Sequence, residues 1–217
     1  MFTFKGDGFP SFHGITPQIH EEAFVAPQVF LSGDVRIGQY ASLWPGVVAR
    51  GDVDYISVGY CTNIQDLTCL HVADDAPCVI GDYVTVGHCA CIHGCEIEDH
   101  VLIGMGATVL TGAKIGRGSI VAAGAVVKEN AVIPPNSLVA GVPAKIVREN
   151  IDRVATIHAQ ALKYKWSAVF IPRSAANATT ARKSSDGGRR SCTAGTWQRA
   201  AGEDGDRLHD SRRRVAL

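Results

Sequence analysis

The sequence predicts an all-β solenoid, a left-handed parallel β-helix of hexapeptide repeats followed by a C-terminal α-helix. Two observations predict the solenoid: aliphatic residues recur every six positions, and glycine or another small residue accompanies most of them. A third observation agrees with it. The same span lacks helical periodicity and is rich in glycine and β-branched residues, which disfavour a helix.

The six-residue repeat runs through the first two thirds of the chain. A small or β-branched residue tends to lie four positions after each aliphatic one, as Ala41 and Thr62 do. We therefore expect triangular coils of three short strands, in which both kinds of residue point inward and each coil covers the next. The aliphatic positions are Val25, Leu31, Ile37, Leu43, Val58, Ile64, Leu70, Ile80, Val86, Ile92, Ile97, Ile103, Val109, Ile115, Val121, Val127, Ile133 and Val139.

Two interruptions of the repeat predict loops. The spacing between Leu70 and Ile80 is ten residues rather than six, so four extra residues should loop out there. Between Ala49 and Val58 the spacing is nine, which predicts a second and smaller excursion. Excursions from a regular solenoid tend to gather on its binding face.

Composition divides the chain into three predicted segments: the β-helix at residues 1–147, a helix packed on it at 148–171, and a basic tail at 172–217. Residues 1–171 carry 11 Lys/Arg against 16 Asp/Glu, whereas the tail carries 10 against 5. A mildly acidic body argues against a nucleic-acid-binding core. The tail is poor in aliphatic residues, so we expect it to be disordered or aberrant.

The compartment predicted from the sequence is the cytoplasm. No apolar run approaches the roughly 18–20 residues of a membrane-spanning helix, and the first residues do not resemble a secretory signal. Seven cysteines is an odd number, and six of them fall within the repeats rather than at disulfide-scaffold spacings. Free thiols in a reducing compartment are the simplest interpretation.

Two histidines are placed by the repeat in equivalent positions of successive coils. His71 follows the inward Leu70 and His93 follows the inward Ile92, and each aliphatic residue closes a coil. The two backbones should therefore lie about 5 Å apart with both imidazoles pointing outward. Such a pair suits one metal ion with metal–nitrogen bonds of about 2.0–2.1 Å.

His88 predicts the oligomeric state. It lies two positions after Val86, on the preceding face, and cannot readily join the other pair within one chain. It could join them from a neighbouring chain across a threefold axis. The geometry therefore predicts a homotrimer with a metal site at each subunit interface, formed by His71 and His93 of one chain and His88 of the next. We expect the other histidines to be ordinary surface residues: His13, His20, His100, His158 and His209.

A metal site with cysteine ligands is the alternative, because residues 87–95 contain both thiols and imidazoles. Thiolates would favour a closed structural zinc site. Cys89 and Cys91 fit packing positions better than ligand positions, so the histidine site is preferred.

An ordered set of motifs resembles the γ-class carbonic anhydrase family, many of whose bacterial relatives are described as hexapeptide-repeat transferases. The resemblance covers roughly residues 10–170 and is far more specific than the repeat alone. The motifs are Arg50-Gly51-Asp52, then Asn63-Ile64-Gln65-Asp66, then His71, then Gly87-His88 with His93-Gly94-Cys95.

The resemblance implies a trimer that holds zinc, or iron(II) or cobalt(II), on His71, His88 and His93. It implies that Asn63 and Gln65 orient a bound water and the substrate. The position of Gln65 agrees, because it follows an inward residue and its outward amide can hydrogen-bond a bound hydroxide without competing as a ligand.

Further residues are assigned by the same resemblance. Arg50, Asp52 and Asp66 would form ion pairs at the subunit interface, and Arg50 with Asp66 is a plausible bidentate pair across chains. Independently of the resemblance, Tyr164 on the terminal helix is a candidate for the wall of the pocket.

The implied function is a metal-dependent carbonic anhydrase-like enzyme that makes bicarbonate from carbon dioxide. As in zinc carbonic anhydrases, the metal would bring the pKa of a coordinated water to about 7, and the resulting hydroxide would attack carbon dioxide. Fast turnover needs a proton relay, which the family prototype builds from glutamates. Here Val53 follows Asp52, and the loop after His71 offers Asp74 and Asp75.

Two alternatives stay open at this point. One is a thioesterase or an acyl-CoA-dependent acyltransferase on the same scaffold, the latter using a histidine as general base without a metal. The other is a non-catalytic trimeric subunit that keeps a metal to stabilise its interfaces.

Overall fold

The computed structural model describes residues 2–3 and 10–170. The predicted tail at 172–217 lies outside the described residues. In chain order the elements are β1 (Phe2–Thr3), β2 (Ser11–Phe12), β3 (Gln18–Ile19), β4 (Phe24–Val25), β5 (Phe30–Ile37), β6 (Ser42–Leu43), β7 (Val48–Val58), β8 (Asn63–Ile64), β9 (Cys69–His71), β10 (Cys78–Ile80), β11 (Thr85–Val86), β12 (Cys91–His93), β13 (Glu96–Ile97), β14 (Leu102–Ile103), β15 (Thr108–Val109), β16 (Lys114–Ile115), β17 (Ile120–Val121), β18 (Val126–Val127), β19 (Val132–Ile133), β20 (Leu138–Ala140), β21 (Lys145–Arg148) and α1 (Val154–Phe170).

The chain forms the predicted parallel β-helix, with about seven coils of three strands each. Strands of successive coils stack in parallel register and form three faces. Face A contains β3, the end of β5, the end of β7, β10, β13, β16 and β19. Face B contains β4, β6, β8, β11, β14, β17 and β20. Face C contains the starts of β5 and β7, then β9, β12, β15 and β18.

The inward residues are those that the repeat predicts. All of the aliphatic positions given above are buried except Val25, which is half-buried in the first coil. The small residues between them are buried as well, including Ala41 and Thr62. Because burying one such aliphatic side chain contributes about 1.5–3 kcal/mol, the continuous ladder accounts for most of the stability of the solenoid.

Both predicted excursions are present, and the one between Ala49 and Val58 has more structure than the sequence suggested. β7 is one continuous strand of 11 residues that turns the corner between face C and face A. Its register with β5 changes from Gly33 opposite Gly51 to Val35 opposite Ile56, so three extra residues bulge from β7. The excursion between Leu70 and Ile80 closes on itself, since Ala73 and Ala76 exchange two backbone hydrogen bonds.

A close approach of two backbones fixes the bulge of β7. Gly33 has a φ of +77°, and a Cβ atom at this position would collide with the carbonyl oxygen of Gly51. Glycine tolerates both the positive φ and the contact. The bulge that begins at this point carries Asp52 beside the histidines of face C.

The C-terminal helix is present but begins later than predicted. Residues 145–148 form β21, which pairs antiparallel with β20, and α1 begins only at Val154. The helix packs on face B against β6, β8 and β11. Ile157 and Ala161 are buried there, whereas Trp166 is 57% exposed.

No helix in the described part of the chain has the length and hydropathy needed to cross a membrane.

Candidate metal centre

Face C presents a row of three functional side chains. The starts of β7, β9 and β12 pair so that Arg50 lies opposite His71, and His71 lies opposite His93. Each of these residues directly follows an inward residue of its coil, so its side chain points outward. The predicted vertical register of the two histidines is therefore confirmed.

The two imidazoles face each other through one nitrogen each. The Nδ1 atom of His71 lies 3.0 Å from the Nε2 atom of His93, and the ring centroids are 5.0 Å apart. Two ligands of a tetrahedral metal with bonds of 2.0–2.1 Å are separated by about 3.3 Å. Small ring rotations would therefore bring both facing nitrogens into one coordination shell.

The other nitrogen of each ring is held by a side chain of the same chain. The Nε2 atom of His71 lies 3.1 Å from Oδ1 of Asp52, and the Nδ1 atom of His93 lies 2.9 Å from Oγ1 of Thr111. These contacts fix both rings and leave the facing nitrogens for a shared ligand. No motif marks Thr111, so its contact with His93 was not predicted from the sequence.

His88 lies at the corner between faces B and C and does not reach the pair within its own chain. Its Nδ1 atom is 2.9 Å from Oδ2 of Asp66, and both side chains are about 40% exposed. Within the described part of one chain, no three His, Cys, Asp or Glu side chains lie close enough together to hold a metal ion. The contribution of His88 from another chain remains a prediction.

The charged residues of the motif set pair locally. Arg50 donates to Asp52 within the chain, and Asp66 is the partner of His88. The predicted bidentate pair of Arg50 with Asp66 across chains is not tested by these contacts. Within one chain, Asp52 serves both Arg50 and His71, which links the ion pair to the histidine pair.

The electrostatics of the pair favour a neutral imidazole beside a charged carboxylate. Burial lowers the pKa of His71, and the positive charge of Arg50 lowers it further, against the opposing effect of Asp52. Burial is the largest single influence on Asp52 and would raise its pKa, but the hydrogen bonds and charge of Arg50, a backbone hydrogen bond and the contact with His71 together lower it. A neutral imidazole is the form that binds a metal.

Asn63 and Gln65 occupy outward positions of β8 and its continuation on face B, on either side of the inward Ile64. Both are buried, and Nε2 of Gln65 donates to Oδ1 of Asn63 over 3.2 Å. The Asn63 amide in turn donates to Oγ1 of Thr85 over 2.8 Å. The two predicted residues therefore form one amide pair, a face away from the histidine pair.

Tyr164 lies on the same face as this amide pair. Its ring packs edge-on against Trp44, with ring centroids 5.8 Å apart, and is half-buried. Trp44 follows the inward Leu43 as Gln65 follows Ile64, and these inward residues pair across β6 and β8. The phase of the repeat places Trp44 beside these amides, so this residue could have been predicted from the sequence.

Two histidines interpreted from sequence as surface residues form a contact instead. His100 Nε2 and His158 Nδ1 are 3.1 Å apart, and both rings pack against Tyr83. The interpretation of His100 and His158 as ordinary surface residues is therefore wrong. Their contact connects face B to α1. It joins residues far apart in the chain, so no local spacing in the sequence indicates it.

The cysteines are free thiols in the described residues, and their positions partly correct the sequence interpretation. Cys89, expected in a packing position, is exposed at a corner, whereas Cys91 is half-buried opposite Cys69 on face C. The buried thiols include Cys78 and Cys95. Their mutual hydrogen bond and burial raise the pKa of Cys78 well above its ordinary value, which makes this thiol unreactive.

Comparison with family models shows two overlapping matches in the repeat region. The model for bacterial transferase hexapeptide repeats (six repeats) matches residues 94–129. The model for the hexapeptide repeat of succinyl-transferase matches residues 77–110.

Comparison with curated proteins finds relatives that align with about two thirds of the chain. The chain is 50% identical over 147 residues to the "Probable carbonic anhydrase" of Methanocaldococcus jannaschii, and the alignment covers 67% of this chain and 92% of that protein. It is 46% identical over 154 residues to the mitochondrial gamma carbonic anhydrase 2 of Arabidopsis thaliana. That alignment covers 68% of this chain and 55% of the plant protein, so the chain spans just over half of its length.

Solved structures share the fold. A hexapeptide transferase family protein from Anaplasma phagocytophilum has a TM-score of 0.70 and 36% identity, covering 73% of this chain and 95% of its own. A provisionally named acetyltransferase from Bacillus cereus has a TM-score of 0.71 and 37% identity, covering 73% of this chain and 92% of its own.

Proposed function

Because the chain belongs to the γ-class carbonic anhydrase-like family of hexapeptide-repeat proteins, we propose that it is a metal-dependent enzyme that hydrates carbon dioxide to bicarbonate. The facing pair of His71 and His93 is the observation that carries this proposal. Asp52 and Thr111 hold one nitrogen of each ring, and the other nitrogens of the two rings face each other 3.0 Å apart. Neutral imidazole is a preferred ligand of zinc and of iron(II).

The third ligand is His88 of a neighbouring chain in a homotrimer. Exposed apolar side chains border both halves of the proposed site. Their exposure supports the proposal that another chain covers this surface. Leu67 and Met105, which are 65% and 59% exposed, flank the corner that carries His88, while Phe30 and Val48 are exposed on face C. A second copy of the chain would remove these side chains from water, at roughly 25 cal/mol per Å² of apolar area.

A metal ion held by His71, His93 and His88 would act as a Lewis acid and make water acidic near neutral pH. The protein supplies the groups around it. The low pKa of His71 keeps its imidazole neutral, and Arg50 neutralises the Asp52 carboxylate that orients it. Substrate and water would be oriented by Asn63 and Gln65, whose amides hold each other in a fixed geometry.

For proton export, the loop after His71 offers two carboxylates. Asp74 and Asp75 are exposed at its tip, within a turn closed by two backbone hydrogen bonds. Exposed carboxylates can exchange protons with buffer. The half-buried Tyr164 packs beside Trp44 and would form part of the pocket wall on face B.

The proposal is tested by elemental analysis of the protein purified under metal-replete, anaerobic conditions, together with stopped-flow carbon dioxide hydration. We expect about one metal ion per chain and measurable hydration. His71→Ala should lower the metal content severalfold and abolish hydration, whereas His20→Ala, at an exposed position, should change neither. A wild-type metal content below about one third of an equivalent per chain would contradict the metal centre.

An acyltransferase is the second candidate, because the two structural relatives carry transferase names. A metal-free protein that consumes acetyl-CoA in the presence of an amine or alcohol acceptor would favour it. A metal-loaded protein without hydration activity that loses its trimer on chelation would instead favour a non-catalytic subunit.

A further inference from the structure

Thr111 contacts a candidate metal ligand although no motif assigns it a role. It follows β15 at the corner that leads to face A, one coil beyond His93. Its Oγ1 atom lies 2.9 Å from Nδ1 of His93, and both side chains are partly buried.

The backbone around Thr111 is held on both sides. The amide of Gly112 donates to the carbonyl oxygen of Gly94 over 2.7 Å, and the amide of Asn130 donates to the carbonyl oxygen of Thr111 over 2.9 Å. Gly112 has a φ of +71°, a conformation that glycine adopts readily. The hydroxyl is therefore presented to His93 from a corner that is tied to the coils before and after it.

The contact determines which nitrogen of His93 can bind a metal. A hydroxyl oxygen has two lone pairs and can accept the Nδ1–H of a neutral imidazole. The neutral ring then has its remaining lone pair on Nε2, and this is the atom that faces Nδ1 of His71 at 3.0 Å. The opposite tautomer would turn an N–H toward the metal position and prevent coordination.

We propose that Thr111 is a positioning residue for the metal site: its hydroxyl accepts the Nδ1–H of His93 and holds Nε2 as the lone-pair donor. The inference rests on the proposed metal centre and adds an orienting residue to it. Partners of this kind fix the orientation of ligand histidines, and their loss typically weakens metal binding 10–100-fold. Thr111 differs from Asp52 and Asp66 in being neutral, so it orients the ring without adding charge.

The test compares Thr111→Val, which keeps the shape and removes the acceptor, with Thr111→Ser, which keeps the hydroxyl. Zinc and cobalt(II) affinities are measured by competition with a chromophoric chelator, and thermal unfolding of the metal-free proteins checks the fold. We expect Thr111→Val to bind about 10–100-fold more weakly and Thr111→Ser to bind like the wild type. Equal affinity of Thr111→Val and wild type overturns the role of Thr111 and leaves the metal centre intact, whereas a wild-type protein that binds no metal overturns both.

A second measurement does not depend on the variant folding. Long-range ¹⁵N–¹H NMR of the zinc-loaded wild-type protein reports which nitrogen of each histidine carries the proton. The Nδ1–H tautomer at His93 is expected. The Nε2–H tautomer would overturn the proposal, because the Thr111 hydroxyl would then be the donor.

Discussion

Three histidines on face C and its neighbouring corner each have a partner side chain on one ring nitrogen. Asp52 contacts His71, Asp66 contacts His88, and Thr111 contacts His93. A partner on the outer nitrogen selects the tautomer and orients the ring, and a carboxylate partner also raises the basicity of the ligand. The chemistry of the proposed site therefore depends on residues that never touch the metal.

Asp66 gives a prediction at the residue scale. Asp66→Asn should weaken metal retention about 10–100-fold, because the neutral amide is a weaker acceptor for the Nδ1–H of His88. Metal content after dialysis against a graded series of chelator concentrations measures the effect. Glu129→Gln, at an exposed position, is the matched control. Retention in Asp66→Asn equal to that of the control would show that Asp66 does not support a ligand.

At the scale of elements, α1 is attached to face B by a cluster of rings and charges. His158 of α1 lies against His100 and Tyr83, and Lys165 lies with its Nζ atom 3.6 Å from the centroid of the Tyr40 ring. Ile157 is buried on the same side of the helix. Because α1 also carries Tyr164, this attachment sets the position of the aromatic wall beside Asn63 and Gln65.

The histidine contact makes the stability of this region depend on pH. The pKa of His100 is lowered chiefly by burial and then by Arg117 and His158, while Asp99 and Asp82 oppose the shift. As the pH falls below about 6.5, the ordinary value, the unfolded chain binds a proton that the folded His100 resists, so the free energy of unfolding decreases. Above that pH the His100 imidazole is neutral in both the folded and the unfolded chain. His100 then no longer makes the free energy of unfolding depend on pH.

Denaturant unfolding of wild type and His100→Gln at about pH 7.5 and pH 5.5 tests this prediction. We expect the wild type to lose more stability between the two pH values than the variant does. An equal loss in both proteins would show that His100 does not contribute. His71 and Asp52 also titrate, but both remain in each protein and cancel in the comparison.

At the scale of the whole molecule, the repeat predicted the architecture because a hexapeptide phase directly encodes which residues point inward. Leu70 and Ile92 mark equivalent places in successive coils, and this placed His71 beside His93. The phase does not encode ring rotations or contacts between distant segments. The His93–Thr111 and His100–His158 contacts, which join residues 18 and 58 positions apart, were accordingly missed.

The repeat also did not predict where the irregular elements begin and end. The pattern indicated an excursion near residues 50–54, and the structure has it as a bulge inside one long strand, because the residues before and after the bulge stay paired with β5. The helix was predicted from residue 148, yet residues 145–148 form β21. Pairing with the open edge of β20 satisfies backbone groups that a helix there would leave unpaired on the last coil.

The proposed function depends most on each metal site being shared between two chains. Mixed trimers test this sharing directly. His71→Ala and His88→Ala chains with different affinity tags are co-expressed, and trimers that carry both tags are purified for metal analysis. In any such trimer exactly one interface joins an intact His71–His93 pair to an intact His88. We therefore expect about one metal ion per mixed trimer and almost none in either parent trimer. Mixed trimers as depleted as both parents, or a stable monomer that retains its metal, would contradict the shared site.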